Sequence, residues 1–164
     1  MDEEISEELK KIWEAINDLK GQNRVTPKYG ELKNYEDNIS ELCRELEVEK
    51  NILYTKIRIS EENVALIVPI DGKNEADKQL RTTLVLMSIR DSVFGKDLMK
   101  SSDIAIALKR LGIKSIANLA TNLSKYSEFL ISDGKPKSKN FGFRITIPGI
   151  VEGKKIIKSM FNGK

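Results

Sequence analysis

Three lysines stand at every second position in "DGKPKSKNFGF": Lys135, Lys137 and Lys139, between two apolar runs near the carboxyl end. Gly134 and Pro136 interrupt the backbone there, so the lysines fall on a loop, where ammonium groups can meet phosphate oxygens. A second set precedes them. On a 3.6-residue wheel, the stretch from Ser115 to 128 puts Ile116, Leu119, Ala120, Leu123 and Ser127 on one side. Asn118, Thr121, Asn122 and Lys125 fall on the other. Asn and Thr can read base edges, and Lys can meet a phosphate or a guanine. The chemistry on offer is recognition of a polyanion.

The chain is poor in groups that make or break bonds. It has no histidine and a single cysteine, Cys43. That removes the usual general base, every Ser-His or Cys-His arrangement, an intrachain disulfide and a cysteine zinc site. "GIVEGK" (149–154) departs from the phosphate-binding loop. It has three residues between its glycines where four are needed, and Lys155 where Ser or Thr would hold magnesium. "SDGK" (132–135) has the Ser-x-x-Lys spacing, but on a hairpin and not at a helix start. The carboxylate pairs near the amino terminus lie on exposed helix faces, where they favour solubility and helix pairing. The sequence predicts a protein that is not an enzyme and uses no cofactor and no metal.

Charge divides the 164 residues unevenly. Residues 96–164 hold 14 Lys and Arg against 5 Asp and Glu, a net of +9, whereas residues 1–95 hold the other 14 basic groups against 20 acidic ones, a net of −6. A basic half of this size suits a nucleic-acid partner. No apolar run reaches the length that spans a bilayer, and the acidic, amphipathic "MDEEISEELKK" is not a secretory signal. The expectation is a cytoplasmic protein with no membrane partner.

The elements that position these residues follow from periodicity. Ile5, Leu9, Ile12, Ile16 and Leu19 are spaced 4, 3, 4, 3, the seam of a coiled coil. "GQNRVTPKYG" breaks that helix, and a second seam follows at Leu32, Tyr35, Ile39, Leu42 and Leu46. Neither stripe is stable alone in water. The two meet as a hairpin or each meets a second chain, and we favour a homodimer through these helices. Trp13 and Cys43 lie beside the seams as packing residues. Residues 1–55 are therefore read as coiled-coil helices and 56–73 as a connector. The connector fits a hairpin turning at 61–63, an edge strand, or a short helix capped by Ser60.

From Asn74 onward the punctuation is clearer. Asn74 caps a helix over 75–94 that stops at Gly95, and its second half is apolar on several sides, as a central helix is. Ser102 caps the next helix, with Ile104, Ala107, Leu108 and Leu111 on one stripe and Gly112 as its stop. Ser115 caps the one after. Phe141, Phe143, Ile145 and Ile147 alternate with smaller or polar residues as a half-buried strand, and "IVEGKKIIKSMF" closes with an amphipathic helix. The fold class is mainly α with a small β-hairpin.

This order, together with "FRITIPG" (143–149), resembles winged helix-turn-helix DNA-binding domains of the prokaryotic and archaeal regulator type. The likeness covers residues 74–164 and implies a C-terminal winged-helix domain behind an N-terminal coiled coil. It implies that 115–128 is the recognition helix, laid in the major groove of double-stranded DNA, and that the lysine loop is the wing. Lys114, Ser115, Asn118, Thr121, Asn122, Lys125, Lys135, Lys137, Lys139 and Arg144 would be the DNA-binding residues. The face lacks arginine, so strong guanine readout is not implied. A dimeric transcriptional regulator is the leading expectation. The alternative is a winged-helix adaptor that binds protein and no nucleic acid.

Overall fold

A computed structural model describes residues 7, 9–12, 35–61 and 63–162, mainly helical with two small antiparallel sheets. The elements are α1 (Tyr35–Leu46), the one-turn α2 (Lys50–Leu53), β1 (Ile57–Ser60), β2 (Asn63–Leu66), α3 (Glu75–Phe94), β3 (Leu98–Lys100) and α4 (Ser101–Arg110). A 3-10 turn (Ile116–Asn118) leads into α5 (Leu119–Ser124), then β4 (Leu130–Asp133), β5 (Gly142–Ile145) and α6 (Ile147–Phe161). None of the described helices is long and apolar enough to cross a membrane.

Helix α3 is the centre. The Asn74 side chain accepts the Asp77 N–H at 2.8 Å, and Gly95 ends the helix in the left-handed region at φ 66°. Every residue from Thr82 to Ile89 is buried, because α1, α5, α6 and β2 all pack around this one helix. Its closest neighbour is α6. A Cβ on Gly153 would collide with Ser88 Oγ and the Leu84 carbonyl, so only glycine lets the two backbones approach this far. The glycine of the "GIVEGK" stretch thus has a packing role.

The described part of the second apolar seam meets the chain's own core. Ile39, Leu42 and Leu46 are 0 to 2% exposed, Tyr35 lies 5.9 Å from the Phe94 ring, and Asn38 Nδ2 donates to the Val93 carbonyl at 2.9 Å. Each such buried aliphatic side chain contributes roughly 1.5–3 kcal/mol, so this stripe is committed to α3. Cys43 is buried beside it, as expected of a packing residue. One core cluster runs from Ile39 to Ile157, and it does not divide at the expected connector. Of the first seam, Glu7 and 9–12 are helical; Ile5, Ile16, Leu19 and Trp13 lie outside the described residues, as does Leu32 of the second.

The connector takes the hairpin option. β1 and β2 pair antiparallel from Ile57↔Leu66 to Ser60↔Asn63, with Ile57, Ile59 and Val64 buried. The three-stranded sheet has the order β3-β5-β4, so β5 lies between the strand that precedes α4 and the strand that follows α5. Phe143, on β5, is fully buried and stacks edge-on against Phe141, 5.3 Å between ring centres. The expected alternation holds to Ile145, which is buried, and ends there. Ile147 is 77% exposed, because Thr146 caps α6 and Ile147 is already the first residue of that helix.

Replacing Gly153 with Ala should destabilise the fold by about 2 kcal/mol or more, the cost of overpacking a tight helix contact. Urea unfolding of the full chain measures it, and an unchanged midpoint would show that α3 and α6 can move apart freely.

Candidate nucleic-acid interface

The turn between α4 and α5 is built on hydrogen bonds from α3. Gln79 is fully buried, and its Nε2 donates to the carbonyls of Lys114 (2.8 Å) and Ser115 (3.2 Å). One turn earlier, Glu75 Oε2 accepts the Lys114 N–H at 2.6 Å. That hydrogen bond holds the Glu75 carboxyl below the ordinary glutamate range, with the Lys78 ammonium as a smaller contributor. Gly112 starts the turn at φ 75°, and Ser115 completes it in the left-handed region at φ 63°, unusual for a residue with a side chain. The strain persists because the Ser115 carbonyl is held by Gln79 and by the Asn118 N–H.

This geometry corrects two expectations about the helix that follows. Ser115 makes no capping bond, and residues 116–118 run as a 3-10 turn before a six-residue α-helix that ends at Ser124. The phase of the helix therefore shifts, and Asn122 turns inward, donating from Nδ2 to Gln79 Oε1 at 3.0 Å. It is a structural residue and not a free reader. Asn118, Thr121 and Lys125 stay exposed, as do Lys114 and Ser115. Helix α4 begins two residues earlier than expected. Its cap position is Lys100, Ser102 is already inside the first turn, and the Ser101 N–H is satisfied by the Phe141 carbonyl at 2.9 Å.

The turn that follows α5 is tied by Thr146. Its N–H donates to the Phe129 carbonyl at 2.9 Å, its hydroxyl donates to the Glu128 carbonyl at 2.6 Å, and the same oxygen accepts the Gly149 N–H at 3.1 Å. A Cβ on Gly149 would lie 2.5 Å from the Phe129 carbonyl oxygen. The Thr-x-x-Gly spacing of "FRITIPG" is thus a clamp between the turn that leads from α5 into β4 and the start of α6.

The lysine loop leaves β4 at Gly134, φ 92°, and carries Lys137 at φ 69° near its tip. Lys135, Lys137 and Lys139 are all exposed, and none has a carboxylate partner among the described residues. Arg144 differs. From the outer face of β5 it bonds Asp97 at 2.9 Å and Asp133 at 2.8 Å, and those carboxylates hold its guanidinium even more firmly charged. Its fork is occupied within the chain, which removes it from the set of free cations.

Between the loop and α5 lies a groove of about 1050 Å³. Ala117, Ala120, Thr121 and Ser124 form one wall, Pro136, Lys137 and Lys139 the other, with Ser101 and Ser102 at the N-terminal end of α4 beside them. Of the ten residues expected from sequence, Thr121, Lys137 and Lys139 line this groove. The serines were not among the residues expected from sequence; Ala120, expected on the core side, does pack against the core and also lines the groove. The signal available for them was small size: serines and alanines together leave room for a bulky ligand to approach backbone. Among the described residues no cluster of His, Cys, Asp or Glu could hold a metal ion. The chain matches no protein-family profile, no curated protein and no solved structure.

Lowering pH should release the turn from its acidic side. Glu75, with its pKa depressed in the folded chain, stabilises the turn above about pH 4.3, the unfolded value, and that contribution is lost as pH falls through its folded pKa. The Lys114 amide resonance should therefore titrate with a midpoint below about 4.3. Replacing Gln79 with Leu removes the partner of Asn122 and of the Lys114 carbonyl, and should cost about 1–3 kcal/mol by chemical denaturation. A neutral effect would mean water replaces the amide.

Proposed function

We propose that this protein binds double-stranded DNA, with α5 facing the major groove and the lysine loop on the adjoining backbone. The observation that carries the reading is the groove itself. It sets exposed, unpaired lysines opposite a helix face of small and hydroxyl-bearing residues, next to the N-terminal end of α4. Lysines supply phosphate contact, hydroxyls supply short hydrogen bonds, and small side chains admit a wide ligand. The sheet order β3-β5-β4, with α4 and α5 between its first and second strands in sequence, supports the winged-helix reading. With Asn122 and Arg144 occupied inside the chain, base contact rests on Asn118 and Thr121. Sequence preference is then modest and rests partly on DNA shape. Regulation of transcription is the role that such a reader serves.

A second reading, an adaptor that docks a protein, is favoured by Ile147 and Val151, 77% and 51% exposed one turn apart on α6. The lysine loop separates the two readings, since a docking surface there gains nothing from three unpaired cations.

Titrating a labelled random duplex by fluorescence anisotropy at several salt concentrations tests the proposal. DNA binding should weaken with salt, each phosphate contact contributing about −0.9 to the log–log slope. Replacing Lys135, Lys137 and Lys139 with Ala should reduce that slope by about 2–3 and weaken all sequences alike, whereas Asn118→Ala should flatten preference. Absence of binding at low salt would sink the DNA reading and leave the adaptor.

A further inference from the structure

Lys137 holds its backbone at φ 69°, where a side chain is crowded and glycine is at ease. It stands third in a four-residue turn. Pro136 is second, and the Ser138 N–H donates to the Lys135 carbonyl at 3.0 Å. A positive φ directly after proline is the type II pattern, whose third position favours glycine. Where the loop leaves β4, at φ 92°, the chain does use glycine, Gly134. Ser115 shares the left-handed conformation, but the Gln79 amide holds its carbonyl in place. Lys137 is not held in this way: its side chain is exposed, and its ammonium has no carboxylate partner among the described residues.

The backbone around it is nonetheless tied. A second turn follows, with the Phe141 N–H on the Ser138 carbonyl at 3.2 Å, and the Phe141 carbonyl accepts the Ser101 N–H at the start of α4. Proline fixes one dihedral of the first turn. Lys137 and Lys139 line the groove, and Lys135 does not. Strained residues cluster at ligand clamps, where the strain serves the contact. We propose that Lys137 is the principal anion contact of the groove, and that the turn keeps a strained lysine where glycine would fit because it presents this ammonium to a phosphate of the bound strand. The inference rests on the DNA reading and ranks the lysines within it, Lys137 ahead of Lys139 and Lys135. A turn formed in advance gives up little conformational freedom when the phosphate arrives. Stability and affinity should then respond in opposite directions to glycine at position 137.

The full chain and a labelled random duplex are the sample. At about 0.1 M salt, Lys137→Ala should weaken binding about eightfold or more, the share of one phosphate contact. Lys135→Ala and Lys139→Ala should each weaken it by a smaller factor, and Lys137→Arg should bind as the parent does. Lys137→Gly should bind as weakly as Lys137→Ala, yet its urea midpoint should match or exceed the parent's, because the crowding at φ 69° is gone. A parent that binds while Lys137→Gly binds just as tightly would overturn this inference and leave the DNA reading standing. A Lys137→Gly midpoint below the parent's would show that the lysine serves the fold, and would overturn it too. A parent that binds no duplex at low salt would remove the DNA reading and this inference with it.

Discussion

The buried amide of Gln79 is the constraint on which the rest of the site depends. Burying an amide without partners costs about 1–3 kcal/mol, so it tolerates only arrangements in which both of its ends are satisfied. Here its nitrogen holds the carbonyls of Lys114 and Ser115, and its oxygen holds Asn122. A turn that slid by one residue along α3 would leave the buried Gln79 amide without these partners. The amide therefore sets where the chain re-enters a helix after α4, and it holds Ser115 in a conformation that serine rarely adopts alone. An apolar residue at 79 could pack, but it could not choose between neighbouring positions of the turn.

Thr146 performs the matching task at the other end. Its bonds to the carbonyls of Glu128 and Phe129 anchor the segment that leaves α5, while it caps α6 in the same geometry. A six-residue helix is too short to be stable through its own hydrogen bonds. Held by α3 before it and by α6 after it, α5 needs little of its own stability, and its groove-facing side is free to carry Ala120, Thr121 and Ser124 where a long amphipathic helix would carry bulk.

What was legible in the sequence follows from what kind of signal each residue carries. Asn74, Gly95 and Gly112 mark boundaries by local chemistry, and each stands where the structure begins or ends a helix. The alternation through Phe141, Phe143 and Ile145 is also local and also holds. The orientation of Asn122 was not legible, because a wheel drawn from Ser115 assumes 3.6 residues per turn throughout. Three residues of 3-10 helix advance about 120° each where the wheel allows 100°, a phase error of about 60° before α5 starts. The pairing of Arg144 needed the strand register, which sets Asp97 and Asp133 on either side of it from separate segments. The second heptad stripe shows the limit of pattern most plainly. Periodicity says that Ile39, Leu42 and Leu46 must be covered, and only the tertiary structure says that α3 covers them.

The two classes of cation near the groove illustrate how the same charge takes different roles by position. Arg144 sits mid-strand with a carboxylate on each side, so its planar fork cross-links three strands at the base of the loop. The three lysines sit beyond that cross-link, on backbone that turns at Gly134 and Lys137, while Asp97 and Asp133 are paired with Arg144. Exposed ammonium groups in water lose little by remaining unpaired, and surface pairing would gain them less than about 1 kcal/mol. They gain more from a partner that presents closely spaced anions, because each phosphate met releases a condensed counterion as well as forming a contact. The arginine keeps the loop in place, and the lysines are left for whatever polyanion the groove receives.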